Sequence, residues 1–373
     1  MAEEDEPPNQ KDKEGILLLP DRTQNEIAVC NASVCPTYIP NKGYPVLTRV
    51  RLKADNGYGE CSIIKRGFLI TPTKMSEDYK VFLSPDDNYS KYGREDARIV
   101  QKGGEYYITS IAFDGENTRV MLDTSGDLEE VTPRGVICDI PLERAVEIAG
   151  KNSYYGRFWK RNLRDSPLER KTQLLGIKDV ALEFLPDGKV GIFYRMEPNM
   201  QFSVADDISD FFRRDYWENE IENLMDRTIM TREKGETKIG LGGPPITING
   251  EKIGTYHKVT YERQGNLDVY YYSGSFFSFD PQKRQITARL RNPLLTPKRD
   301  DALVEVDQRN RLRTIKLVSF PMGMIVNPQN LNELYIYYGG GDEREAWRTT
   351  QIPWLVNELK TPFNSEKVVD FEE

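Results

Sequence analysis

"DVALEFLPDGKVGIFYR", residues 179–195, alternates apolar and polar positions on both sides of Pro-Asp-Gly. Alternation of period two around an Asp-Gly turn signals a β-hairpin. The arrangement recurs in "VCPTYIPNKGYPVLTRV" (34–50), "DARIVQKGGEYYITSIA" (96–112), "PPITINGEKIGTYHKV" (244–259) and "MGMIVNPQNLNELYIYYGGGD" (322–342). With Gly43, Gly103, Gly188, Gly250 and Asn332 as markers, the spacings are 60, 85, 62 and 82 residues. Five similar units spread along one chain predict radial repetition, an all-β five-bladed β-propeller. Unrelated hairpins in a β-sandwich are the competing arrangement.

Helical insertions interrupt the β pattern. "PLERAVEIAG" (141–150) starts on Pro, ends on Gly and has an apolar face through Leu142, Val146 and Ala149. "DDISDFFRRDYWENEIENLMDRT" (206–228) repeats apolar residues at Ile208, Phe211, Phe212, Ile221, Leu224 and Met225, as an amphipathic helix does. "KNSYYGRFWKRNLRD" (151–165) is basic and aromatic, which suits a surface run with a packed ring or two, a sugar subsite or a partner contact. Residues 1–15, "MAEEDEPPNQKDKEG", are acidic and poor in apolar side chains, and read as a disordered lead-in without the regions of a signal peptide. Residues 16–373 read as one propeller domain.

Composition removes several functions. The 373-residue chain carries 59 acidic and 51 basic side chains, net −8, and shows no basic run to meet a nucleic-acid backbone. No stretch approaches the ~20 apolar residues of a membrane span. Cys30, Cys35, Cys61 and Cys138 form no CxxC pair, which favours reduced thiols and a cytoplasmic location. His257 is the only histidine, so a zinc site built on histidines is excluded and no metal is expected. "GLGGPP" (240–245) fails as a dinucleotide loop because Pro244 and Pro245 stand where a helix N-terminus would present N–H groups.

In a propeller, the hairpin ends away from the turns converge on one mouth of the central channel. Those ends carry Arg49, Asp96, Lys178 with Asp179, Tyr194 with Arg195, His257 and Asp342. A ring of Arg, Lys and His with few carboxylates suits an anion such as phosphate.

The same stretches carry a resemblance. "REDAR" (94–98), "KIGLGGPPITINGEKIGTYH" (238–257) and "IKDVALEFLPDGKVGIFYR" (177–195) resemble motifs of the glycoside hydrolase family 130 β-mannoside phosphorylases. "VCNASVCP" (29–36) is a weak counterpart of their Asn-Pro signature. "YYYSGSFFSFDP" (270–281) and "LYIYYGGGDERE" (334–345) are similar to a sister group, the β-1,2-mannosyltransferase/phosphorylases of glycosyltransferase family 108 in trypanosomatid parasites. The resemblance implies a five-bladed propeller and an inverting phosphorylase. Phosphate attacks the anomeric carbon of a β-1,2-mannan oligosaccharide and releases mannose 1-phosphate, or the reaction runs in reverse. It leaves open whether GDP-mannose also serves as donor.

In that scheme Asp96 is the single catalytic acid and Glu95 grips sugar hydroxyls, with Arg94 or Arg98 supporting the carboxylate. Asn31, Arg98, Asp179 and Asp342 join Glu95 as substrate contacts. Arg49, Lys178, Arg195 and His257 form the phosphate cradle, together with Tyr194, which stands where the family has His. No cofactor is implied beyond phosphate as co-substrate. The partners are mannose oligosaccharides, mannose 1-phosphate, phosphate and, if used, GDP-mannose; no nucleic acid or membrane is involved, and oligomerisation is left open. A hydrolase on the same frame would need a base roughly 6.5–9.5 Å from Asp96, for which Asp179, Glu197 and Asp342 are candidates. A non-catalytic carbohydrate-binding propeller is the third reading.

Overall fold

The computed structural model describes residues 12–360 except 56, 58, 86–88, 152, 165–172, 266, 291 and 307–311. All five expected hairpins are present. Glu26–Val34 turns into Tyr44–Lys53, Gly93–Lys102 into Glu105–Phe113, and Ile177–Phe184 into Val190–Met196. Ile246–Ile248 turns into Glu251–Gln264, and Leu312–Val326 into Glu333–Gly340. The Asn249–Gly250 turn has φ of +51° and +85°, the two positive values that a two-residue hairpin loop with native twist needs.

Among the described residues the strands join into three sheets. In one, Thr132–Ile137, Thr118–Ser125, Glu105–Phe113 and Gly93–Lys102 lie in antiparallel order, then meet Glu60–Thr71, Tyr44–Lys53 and Glu26–Val34 through a single parallel bridge, Ser62 to Gly93. A second runs Ile177–Phe184, Val190–Met196, Asn199–Ala205, Thr228–Met230. The third runs Glu236–Leu241, Glu251–Gln264, Leu267–Asp280, then by a parallel join Leu312–Val326, Glu333–Gly340, Arg344–Gln351. Its last place is taken by Glu14–Leu18, which pairs with Arg344–Gln351. The two ends of the chain therefore share one sheet, and no edge is left on Arg344–Gln351.

First strands pack on one another in sequence. Glu26–Val34 lies against Gly93–Lys102, which lies against Ile177–Phe184, which lies against Glu236–Leu241; Leu312–Val326 returns to Glu26–Val34. The expected disordered lead-in covers residues 1–15. Residues 1–11 lie outside the described residues, while Glu14 and Gly15 gain backbone partners at Arg348 and Trp347.

Leu142–Ala149 is helical as expected, with Leu142, Ala145 and Val146 buried. The 206–228 segment is broken, because Arg213 is extended between a short turn, Ile208–Phe212, and the helix Arg214–Glu222. Tyr154–Arg164 is a helix whose Tyr154, Tyr155 and Trp159 enter the same core cluster as Phe211 and Trp217. Those rings are packing, not a sugar subsite: Tyr155 Oη meets Thr228, Asn199 and Gln201, and Trp159 Nε1 donates to the Glu197 carbonyl. The four cysteines are free. Among the described residues no helix is long and apolar enough to cross a membrane.

Removing residues 1–18 strips a paired strand and the packed Leu17 and Leu18 from the sheet. We expect the melting midpoint, followed by circular dichroism, to fall by about 5 °C or more; an unchanged midpoint would show that the strand is not a structural closure.

Candidate active site

Three hairpins carry the same irregularity. From Cys30↔Arg49 to Ser33↔Leu47, from Glu95↔Ile111 to Arg98↔Thr109 and from Lys178↔Arg195 to Ala181↔Phe193, the first strand has one residue more than its partner. Asn31, Asp96 and Asp179 occupy these bulges with φ of 59°, 48° and 56°. That left-handed region is disfavoured for most side chains and tolerated by Asn and Asp, and a bulge re-aims its side chain out of strand alternation. Asp342, φ 52°, follows the strand Glu333–Gly340.

At one end of the site the Asp96 carboxylate accepts from Asn31 Nδ2 at 2.9 Å and from Arg49 Nη1 at 3.3 Å. Arg49 also donates to Glu95 at 2.7 Å and to Ser62 Oγ at 3.2 Å. Arg49, expected in the phosphate cradle, has its guanidinium engaged by the two carboxylates of the "REDAR" motif. Arg94 plays no such part. It is buried on the other face, bonded to Ser110 and Asp123.

Burial pushes the Asp96 carboxyl up, but Arg49, the Asn31 amide, Arg98 and Lys178 outweigh it and hold the group below the usual carboxylate range. Asp342 goes the other way: burial raises it, and Asp96 adds to the rise against the pull of Arg49. Beneath them Glu345, fully buried, accepts from the Ala32 N–H at 3.0 Å, and burial lifts its carboxyl well above the usual range. Sequence reasoning missed Glu345, although it closes the quoted "GGGDERE".

At the other end Asp179 lies between two guanidinium groups, with Oδ1 3.2 Å from Arg98 Nη2 and Oδ2 2.9 Å from Arg195 Nε. Burial would raise its pKa, but Arg195, His257, Arg98 and Lys178 bring it down to about 2. Two expected substrate contacts meet here. Both Asp179 oxygens are committed to cations. Arg98 spends its donors on Gly242 O, Leu241 O, Asp96 O and Asp179, at 2.7–3.3 Å.

Arg195 Nη1 lies 3.3 Å from His257 Nε2. Arginine only donates, so Nε2 accepts and Nδ1 carries the proton. His257 Nδ1 has no hydrogen-bond partner among the described residues. Burial pushes the imidazole down, Asp179 resists, and Arg195, Lys238 and Arg98 push further, to about 3. His257 is therefore a neutral donor. Lys178, exposed, pairs in register with Arg195.

Tyr194 is not in the site. It neighbours Arg195 on a strand and so faces the opposite side, fully buried, bonded to Ser203 Oγ at 2.9 Å and edge-on to Trp217. Glu197 and Lys238 take part instead. Lys238 Nζ lies 3.3 Å from Glu197, which is also 3.8 Å from Arg195 Nη2. Lys238 opens the quoted "KIGLGG" motif, where a strand lysine beside glycines was the available signal.

One chain of contacts thus links Asn31, Asp96, Arg98, Asp179, Arg195 and His257. A separate cavity of about 730 Å³, lined by Cys35, Ile99, Phe184, Pro245, Lys252 and Ile325 among others, holds none of the candidate residues.

The family model for beta-1,4-mannooligosaccharide phosphorylase matches residues 60–361, and the chain belongs to glycoside hydrolase family 130. It is an enzyme of the glycoside phosphorylase class. Among solved structures it resembles a β-1,2-mannobiose phosphorylase from Listeria innocua in complex with β-1,2-mannobiose, at 19% identity, TM-score 0.59, over 90% of this chain and 92% of that one. It also resembles MPT-4, a mannose phosphorylase from Leishmania mexicana in complex with phosphate ion, at 15% identity, TM-score 0.56, over 92% and 89%. A GDP-Man-dependent mannosyltransferase, MPT-1, from the same organism follows at 14% identity, TM-score 0.55, over 92% and 91%. In sequence alone, no curated protein matches.

A Cβ at Gly240 would sit 2.1 Å from Asp179 Oδ2 and 2.7 Å from His257 Cε1. Gly240→Ala must therefore displace the carboxylate that holds both arginines. We expect activity to fall by at least about 10²-fold, the scale of a misplaced reacting group, with a folded circular dichroism spectrum; near-normal turnover would show that the Asp179 geometry is dispensable.

Proposed function

We propose that the protein is an inverting β-1,2-mannoside phosphorylase, reversibly transferring mannose between β-1,2-linked oligosaccharides and phosphate, with residues 16–373 forming one five-bladed propeller. The packing of successive first strands, returning from Leu312–Val326 to Glu26–Val34, supports the five-bladed reading. A cytoplasmic location belongs to the same proposal, supported by the four free cysteines.

The observation that carries the function is the division of the site into an acid end and a cation end. Asp96 protonates the departing glycosidic oxygen, directly or through a sugar hydroxyl, and Glu95 with Asn31 holds the sugar. Phosphate enters at Arg195, Lys178, Lys238 and the Nδ1–H of His257, and attacks the anomeric carbon from the face opposite the leaving group. The product is α-mannose 1-phosphate. Phosphate is already a nucleophile, so no second carboxylate is required, whereas an inverting hydrolase needs one to activate water.

The candidate bases are poorly placed for that hydrolytic role. Asp179, at about 2, is too weak a base and is tied to Arg98 and Arg195. Glu197 is held by Lys238 and Arg195. Asp342 lies beside Asp96, and burial and that carboxylate both raise its carboxyl.

Incubation of β-1,2-mannobiose with and without phosphate tests the assignment: mannose 1-phosphate only with phosphate supports it, and free mannose regardless of phosphate overturns it. GDP-mannose, offered as donor to an oligosaccharide acceptor, shows whether a nucleotide also serves. Lys178→Ala, at an exposed position, should raise KM for phosphate about tenfold while leaving KM for the sugar nearly unmoved. An unmoved KM for phosphate removes Lys178 from the cradle.

Asp96→Asn keeps an Asx residue in the left-handed bulge, so we expect it to fold and bind sugar while both directions slow by about 10²–10⁴-fold. The pH profile carries a further sign. A donor must be protonated, and Asp96 in the empty site is held low, so the rate falls as pH rises. The limb in kcat/KM reports the empty enzyme and that in kcat the loaded one. Sugar excludes water from Asp96 and phosphate adds negative charge nearby, and both raise its pKa. The limb in kcat should therefore lie at higher pH than that in kcat/KM; the reverse order would contradict Asp96 as donor.

A further inference from the structure

Two strands near the cation end are unusually long. Glu251–Gln264 and Leu267–Asp280 each have 14 residues, and they pair from Lys252↔Phe279 to Gln264↔Leu267. His257 stands midway, so the hairpin runs on for seven residues, about 23 Å, beyond it. Glu236–Leu241 flanks it only as far as Thr260. On the other side Leu312–Val326, 15 residues long, pairs in parallel from Asp268↔Thr314 to Tyr272↔Val318. The result is a wall rising from the site.

Directly paired residues of an antiparallel ladder share a face, as do residues two apart. His257, paired with Gly274, therefore shares its face with Tyr272, and with Tyr261 and its partner Tyr270. The rings confirm the parity. Tyr272 is stacked over His257 at 19° and 6.4 Å, Lys238 Nζ lies 5.9 Å from the Tyr272 ring, and Tyr270 and Tyr261 are 5.2 Å apart. Tyr261 is 41% exposed, yet its hydroxyl is anchored on Asp268 at 2.8 Å, which fixes the ring. A row of tyrosines thus leads outward from the proposed phosphate ligands.

We infer that this face binds the sugar residues of the chain beyond the one that reacts at Asp96. The inference rests on the phosphorylase reading above and names the part of the molecule that recognises chain length. A tyrosine ring offers an apolar face to the C–H face of a pyranose, and its hydroxyl offers a polar edge to the sugar hydroxyls. Both signs of charge border the row, Asp268 against Lys316 and Arg263, which suits a neutral polyol better than an anion. The row begins at His257, within the same chain of contacts as Asp96, so it borders the site from which the sugar chain departs. Contacts made far from the reacting carbon lower KM for long substrates without entering the bond-breaking step.

Tyr261→Ala, Tyr270→Ala and the double variant, each checked by circular dichroism, test this with β-1,2-linked mannobiose, mannotriose and mannotetraose as phosphorolysis substrates. In the wild-type enzyme KM should fall with chain length. In each single variant KM for the tri- and tetrasaccharide should rise about three- to tenfold, more than for the disaccharide, with kcat nearly constant. Equal losses at every length, or none, overturn the inference. Titration of the Asp96→Asn protein with mannotetraose, read by tyrosine and tryptophan fluorescence, gives a readout without turnover. A protein that binds the tetrasaccharide through these tyrosines but releases no mannose 1-phosphate would keep the wall and sink the phosphorylase assignment. Phosphorolysis indifferent to length would do the opposite. Light scattering completes the test: a dimer that dissociates in the variants would show that a second copy covers this face, and overturns the sugar assignment.

Discussion

The buried carboxylate of Asp179 is the interaction on which the rest of the structure depends. Two guanidinium groups, Arg98 and Arg195, share it at 5% side-chain exposure or close to it, and neither could be buried without it. Desolvating an unpaired cation costs several kcal/mol, and breaking such a pair typically costs about 3–5 kcal/mol. Arg98 then reaches the carbonyls of Gly242 and Leu241 across to another sheet, so one side chain ties Gly93–Lys102 to Ile177–Phe184 and to the end of Glu236–Leu241. Gly240 leaves the space that Asp179 and His257 fill. The floor of the site and the girdle of the fold are thus the same atoms. Charge in this centre is a structural requirement before it is a catalytic one.

That double duty explains which residues remain available for chemistry. Arg98 is bonded to Asp179 and to backbone carbonyls, while Lys178 is exposed and His257 has a donor without a partner among the described residues. His257 is kept neutral by burial among cations, and a neutral imidazole can approach Arg195 as an acceptor where an imidazolium would be repelled. Its depressed pKa has a consequence for stability. The unfolded chain takes up a proton near the ordinary histidine value of about 6.5 and the folded one does not, so this group weakens the fold as pH falls from there towards about 3.

Much of this was legible in the sequence, for identifiable reasons. The hairpins were readable because alternation and turn glycines are local signals; four formed where the pattern placed them, and the first has its leading strand upstream of the quoted run, at Glu26–Val34. Asp96, Arg195 and His257 were found from motif and position, and the structure connects them through Arg98 and Asp179. What failed was orientation. Tyr194 and Arg195 are adjacent, and strand alternation sends one to the core and the other to the site. Arg94 and Arg98 bracket Asp96 symmetrically in "REDAR", yet neither meets its carboxylate; Arg49, from another hairpin, does. Long-range pairing of this kind leaves no trace in spacing. The bulges did leave one: Asn31, Asp96 and Asp179 each stand in an otherwise strand-like run, where Asn and Asp are uncommon unless the backbone needs a left-handed residue.

The bulges also bear on which substitutions the site can accept. An Asn or Asp in a left-handed bulge is selected twice, once by the backbone and once by the contacts its side chain makes. Replacement by alanine would lose both, with backbone strain of about 1–3 kcal/mol added to the lost contact. Conversion between Asn and Asp leaves the backbone content and changes only charge and proton. The position at Asn31 can therefore support Asp96 with an amide while the equivalent bulge at Asp179 binds two arginines with a carboxylate. One backbone device, repeated in three hairpins, supplies an amide donor at Asn31, a carboxylate held by Asn31 and Arg49 at Asp96, and a cation clamp at Asp179.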